Sequence, residues 1–160
     1  MDNLFSDRPP SPPAAEPLED VLCTVEVPAP AAQAFDGFTD AIHLWWPIAT
    51  HGVYGEGSYV GFEDDELVET ADDGRAAVWA EVTAWIPSRQ LCLAWHPAAG
   101  PLAAQPVEVS FTEEGTATAV TLRHGGWDGR ADGAAERERY SRDWPAVLAR
   151  YVRFMGGREA

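Results

Sequence analysis

Tyr140-Ser141-Arg142-Asp143-Trp144-Pro145-Ala146-Val147-Leu148-Ala149-Arg150-Tyr151 decides how this chain folds. Tyr140, Trp144, Val147, Leu148, Tyr151 and Met155 recur at three- and four-residue steps, the mark of one apolar face on a helix over about 133–155. Pro145 lies inside that helix, removes one backbone bond and is expected to bend it. Such a helix needs a broad surface to cover its stripe, and the preceding sequence supplies strands. Alternating apolar residues predict strands over 21–27, 58–64, 66–70, 75–86, 90–96, 107–112 and 116–124. Asp72-Asp73-Gly74 and Glu113-Glu114-Gly115 read as hairpin turns. Two short helices follow the first strand. One covers 31–38, opened by Pro30, with Ala34, Phe35 and Phe38 on one face. The other covers 42–46, with Asp40 as its N-cap and Pro47 as its stop.

The composition narrows the partners. The chain has 160 residues, a formal charge of −15 from 26 acids against 11 bases, and every base is arginine. The missing lysine excludes Schiff-base chemistry and a Walker-type phosphate site. Phosphate backbones and anionic lipid repel such a surface, so neither nucleic acid nor membrane is an expected partner. No apolar run approaches the roughly 20 residues that span a bilayer. No secretory signal is visible either, which makes the expected location cytoplasmic. Cys23 and Cys92 are far apart in strand-like surroundings and are expected as free thiols. Residues 1–19, with Pro9, Pro10, Pro12, Pro13 and Pro17, read as a disordered tail; residues 20–156 form one domain, and 157–160 are a second tail.

Seven tryptophans stand out: Trp45, Trp46, Trp79, Trp85, Trp95, Trp127 and Trp144. Each ring brings roughly 150–250 Å² of apolar area and one N–H donor. A twisted sheet and a single helix cannot close on each other everywhere, so large side chains or a ligand must fill the remaining space. Trp95, Phe111 and His124 are expected on inward strand faces, with Tyr140, Trp144 and Leu148 opposite them on the helix. Trp45 and Trp46 would cap the entrance, and Trp127 would lie at the other mouth. The same residues also fit a dry, filled core. Trp79 and Trp85 alternate against Val78, Ala80, Val82 and Ala84, and which face looks inward stays open. His124 is the candidate acid/base, or else a structural residue closing its hairpin. The four histidines lack metal-site spacing, so neither a metal nor another cofactor is expected.

The element order resembles the START-like (helix-grip, SRPBCC) superfamily, and local motifs sharpen the likeness. Val27-Pro28-Ala29-Pro30, Ala34-Phe35 and Trp45-Trp46-Pro47 look like the entry of its branch named after the activator of Hsp90 ATPase. Glu81-Val82, Pro87-Ser88-Arg89-Gln90-Leu91 and Ala94-Trp95 resemble a middle stretch of that branch. Leu122-Arg123-His124, Trp127 and Asp143-Trp144-Pro145 with Val147-Leu148 resemble its ending. The likeness covers roughly 20–156. It departs at Asp143 and Ala80, where the branch usually has glycine. It implies an α+β helix-grip fold: a curved antiparallel sheet of about seven strands around the C-terminal helix, with a cavity between them.

Within the branch, the paired Trp-Trp-Pro looks most like proteins that protect producers of calicheamicin-type enediyne antibiotics. The resemblance therefore implies a binding protein, monomeric or weakly dimeric, that sequesters a polycyclic aromatic or polyketide-type small molecule. The ligand-binding set would be Trp45, Trp46, Trp95, Phe111, His124, Trp127, Tyr140, Trp144 and Leu148. In the self-resistance form an activated drug takes hydrogen from the protein and cleaves it, with Gly100 in the loop after Trp95 as candidate donor. Two alternatives stand beside it. One is a polyketide cyclase or aromatase using His124 or Tyr140. The other is an Hsp90-activator-like interaction module, against which counts the lack of the domain that precedes this fold in eukaryotic activators.

Overall fold

A computed structural model describes residues 18–97, 100 and 103–157. The expectations for 1–17 and 158–160 lie outside the described residues. Seven strands, β1 (Val21–Val27), β2 (Tyr59–Glu63), β3 (Glu66–Thr70), β4 (Ala76–Ile86), β5 (Gln90–Trp95), β6 (Gln105–Glu114) and β7 (Ala117–His124), form one sheet in the order β1-β7-β6-β5-β4-β3-β2, each pair antiparallel. Between β1 and β2 lie α1 (Ala31–Thr39), α2 (Ile42–Trp45) and a third short helix the sequence did not announce, α3 (Ile48–His51). The chain ends on α4 (Gly133–Phe154), which continues through Pro145. This is the helix-grip architecture.

The period-two pattern of β5, β6 and β7 gives the sheet one buried face. Leu91, Leu93 and Trp95, then Val107, Val109 and Phe111, then Val120, Leu122 and His124 all point into it. Trp144, Val147, Leu148, Tyr151 and Val152 cover it from α4, and Ala34, Phe35 and Phe38 from α1. Tyr151 locks the two helices together by donating its hydroxyl to the Ala34 carbonyl at 2.7 Å. Leu18 and Glu19, assigned to the tail by composition, are tied down: Leu18 N–H donates to Asp128, and Arg137 donates to the Glu19 carbonyl. Asp40 does not cap α2; it closes α1, and Ala41 precedes the second helix. Both cysteines are free and half-buried.

The simple alternation read for β4 is wrong, and two β-bulges are the reason. Val78 pairs with Val68 and Ala80 with Leu67, which leaves Trp79 as an extra residue. Val82 pairs with Leu93 and Ala84 with Cys92, which leaves Thr83 extra. An extra residue shifts the pleat by one and re-aims its neighbours. Trp79 is consequently buried beside Ala80, on the face it was expected to oppose. Trp85 is also turned to the helix side, edge-on to Phe35 at 5.4 Å and to Phe62 at 5.4 Å, but stays 40% exposed at the far end of the strand.

Candidate functional site

The adjacent tryptophans of Trp45-Trp46-Pro47 separate at the end of α2. Trp45 turns into the core, 5.2 Å from Phe38 and 5.1 Å from Tyr151, with its N–H donated to the Gly37 carbonyl. Trp46 takes an extended backbone, and its ring goes the other way. It meets Trp79 at 5.1 Å, Trp144 at 6.0 Å and Trp95 at 6.2 Å. Trp79 and Trp95 lie 6.0 Å apart, and Trp95 and Trp144 5.3 Å apart. Four indoles from α2, β4, β5 and α4 thus form one aromatic floor.

Every N–H on this floor is already used. Trp46 donates to the His51 carbonyl at 3.0 Å, Trp79 to Glu69 at 3.1 Å, Trp95 to the Tyr140 hydroxyl at 3.1 Å, and Trp144 to His124 Nδ1 at 3.0 Å. What the floor offers a guest is therefore ring surface rather than donors, which suits stacking against another flat system.

Above the floor is a pocket of about 650 Å³. Thr50, His51, Gly52 and Val53 form one rim; Arg139, Tyr140, Asp143 and Val147 of α4 form the other, with Pro97 at the end of β5. The loop carrying Gly52 and Val53 is pinned by Glu69, a fully buried carboxylate on β3. Glu69 accepts the N–H groups of Val53, Tyr54 and Gly55 and the hydroxyl of Ser58, besides the Trp79 indole. Burial alone would push its pKa up, but the Ser58 hydroxyl and the three backbone N–H groups outweigh it and hold the carboxyl below its ordinary range. A side chain at Gly52 would strike the Ile48 carbonyl and Glu69, so the loop needs glycine there.

The nine residues expected to line a cavity divide. Trp46, Trp95, Tyr140 and Trp144 do line the pocket. Trp45, Phe111, His124, Trp127 and Leu148 do not: each is buried in the packed interior. Trp45 caps no entrance, since it is held beneath α1, and Trp127 sits at no mouth. Its ring lies against His124 at 4.3 Å, and its N–H donates to the His124 carbonyl. His124 is walled off by Trp127, Tyr140 and Trp144. Burial first, and the Arg130 charge second, lower its pKa to about 3, so the imidazole stays neutral and accepts the Trp144 N–H. Its role is to fix the floor from behind. Gly100 is half-buried with φ +84°, and among the described residues none lies within 4 Å of where its Cβ would stand.

Sequence reasoning missed Thr50, His51 and Glu69, which come together only through the fold. A second hollow, about 700 Å³ between β1 and the other flank of α4, is lined by residues such as Cys23, Val25, Pro145 and Ala149 and holds no aromatic ring. Among the described residues, no three His, Cys, Asp or Glu side chains cluster as a metal site requires. No described helix is long and apolar enough to cross a membrane.

Residues 28–155 match the sequence profile of the activator of Hsp90 ATPase homolog 1-like proteins. The chain belongs to that family. Among solved structures this family member is similar to DynU16, a protein of the dynemicin biosynthetic locus, at 20% identity and a TM-score of 0.65 over 88% of this chain and 48% of that one. It thus spans about half the length of DynU16. CalU16 from Micromonospora echinospora is similar at 16% identity and a TM-score of 0.60, over 88% of this chain and 76% of that one. Txn09, an anthrahydroquino-γ-pyrone synthase solved with a ligand, is 27% identical with a TM-score of 0.58, over 88% of this chain and 99% of that one. No curated protein matches the sequence.

Proposed function

We propose that this family member binds a flat, polycyclic aromatic or polyketide-type small molecule on the four-indole floor. One observation carries the reading: Trp46, Trp79, Trp95 and Trp144 meet ring to ring under a pocket of about 650 Å³ with all their N–H groups satisfied internally. That volume is within the range of small-molecule sites, and such sites combine apolar walls with a few polar groups. The likeness to Txn09 supports a fused aromatic guest. Titrating hydroxyanthraquinones into the protein should quench tryptophan emission to saturation at one equivalent. Unchanged emission across a panel of fused-ring compounds removes the reading.

Two narrower forms rest on particular observations. Txn09 is a synthase by name, which favours a cyclase that closes a ring on the bound guest. The neighbours from enediyne loci favour self-resistance, in which the carbon radical of the activated drug takes a Cα hydrogen atom from Gly100, dioxygen adds to the glycyl radical left behind, and the chain breaks there. Mass spectrometry after incubation with an activated enediyne should then show two fragments meeting at Gly100, whereas a cyclase leaves the chain intact and consumes its substrate.

A further inference from the structure

On the rim, the Thr50 hydroxyl lies 2.8 Å from His51 Nδ1 and 3.3 Å from the Pro47 carbonyl. A carbonyl can only accept, and a hydroxyl carries one hydrogen. With that hydrogen on Pro47, Thr50 accepts from Nδ1–H. The neutral ring then carries its lone pair on Nε2. Nε2 faces Asp143 Oδ1 of α4 at 3.8 Å, too far for a hydrogen bond. Two acceptors, an imidazole nitrogen and a carboxylate oxygen, are therefore turned to the same space at the pocket mouth. Among the described residues no donor sits between them. His51 and Asp143 are about one-quarter and one-third exposed, so the space is reached from the pocket. Among the described residues of this rim Arg139 is the one arginine, and it stacks over the Tyr140 ring at 5.2 Å.

We infer that His51, with its tautomer set by Thr50, is the group that selects the guest: its Nε2 accepts the hydrogen of a phenolic or enolic hydroxyl on a ring system lying over Trp46 and Trp144. The inference rests on the indole floor being the binding surface, and it adds what the guest must carry. A hydroxyl directed at the gap satisfies Nε2. A methyl ether in the same place leaves Nε2 desolvated and unpaired, and an unpaired polar group is penalised more than a made bond is rewarded. The fused-ring guest is thus selected by a hydroxyl at its edge. Should the protein act as a cyclase, the base lies here and not at His124.

The test compares 2-hydroxyanthraquinone with 2-methoxyanthraquinone by tryptophan quenching, in the wild type and in His51→Ala. The expected result is a preference of about tenfold for the hydroxyl compound in the wild type. In His51→Ala the two affinities become equal, chiefly because the methoxy compound no longer strands a desolvated Nε2 and binds more tightly than to the wild type, which also shows that the fold and floor survive. The Trp46 bond survives as well, because it uses the His51 backbone carbonyl. Equal binding of both compounds by the wild type, or a preference that persists without His51, overturns the assignment and leaves the indole floor standing. Quenching by neither compound overturns both.

Discussion

The two ends of the space between sheet and helix are built from the same kinds of rings and end up opposite in character. At one end Phe35, Phe38, Trp45, Phe111 and Tyr151 pack edge to face or tilted at 5.1–5.9 Å and leave no room. At the other, four indoles at similar spacing floor an open pocket. The difference lies in what surrounds the rings. The filled end is closed by α1, whose Ala34 and Gly37 let α4 approach closely enough for Tyr151 to reach a helix carbonyl. The pocket end faces α3 and the loop after it, where Thr50, His51, Arg139 and Asp143 keep contact with water. Charged and hydrogen-bonding groups resist dry burial, so the helix and the loop stay apart there.

If the filled end carries stability and the pocket end carries recognition, Phe38→Ala should separate the two most clearly. Phe38 touches Trp45, Phe111 and Tyr151 and is almost wholly buried. Truncation should cost about 3–5 kcal/mol in urea unfolding. Affinity for 2-hydroxyanthraquinone, measured on the folded fraction, should change by less than about twofold. A large loss of affinity would mean that the two ends act as one.

Acid should act next most strongly, through the buried histidine behind the floor. His124 has a folded pKa near 3 against 6.5 when free. Below 6.5 the unfolded chain binds a proton that the native state refuses. The stabilisation is therefore complete above pH 6.5 and is lost as pH falls toward 3. Between pH 6.5 and 4.5 this amounts to about 2–3 kcal/mol. His124→Gln keeps an acceptor for the Trp144 N–H and should flatten that part of the stability profile. An unchanged slope would place His124 in contact with water.

At the pocket end, Trp46→Leu should do the reverse of Phe38→Ala. It removes the central ring of the floor but leaves Trp79, Trp95 and Trp144 in mutual reach. Affinity for fused-ring probes should fall about tenfold, in line with one lost aromatic contact and its area. The stability cost should stay near 1–2 kcal/mol.

How much of this was legible follows from which signals are local. Strand periodicity and the stripe on α4 are local, and every predicted strand and long helix stands within two residues of its expected ends. The bulges at Trp79 and Thr83 are not local: they come from pairing with β3 and β5, so the faces of β4 could not be read. The site depends on contacts across the chain. His51 meets Asp143, and Glu69 gathers Val53, Tyr54, Gly55 and Ser58. Trp46, Trp95, Tyr140 and Trp144 were legible from the apolar pattern, but of these polar residues only Asp143 had left a trace, as the carboxylate standing where the resembling branch has glycine. His124 misled because a histidine on an inward strand face looks the same in sequence whether it meets a ligand or other rings.

Thr50→Val makes the smallest and most selective change to the comparison. Thr50 is exposed on α3, and its hydroxyl bonds only within the Pro47–His51 turn. A surface exchange of this size should move stability by less than about 0.5 kcal/mol. Its effect should fall on the imidazole, because a valine side chain offers Nδ1–H no acceptor. The two tautomers then compete, and the lone pair spends less time on Nε2. The preference for 2-hydroxyanthraquinone over its methyl ether should drop about threefold, short of the complete loss in His51→Ala. Affinity for the ether should rise modestly, since the lone pair it leaves unpaired is on Nε2 for less of the time. If both compounds weaken together, Thr50 is shaping the loop and not the ring. If neither moves, Thr50 does not set the tautomer of His51.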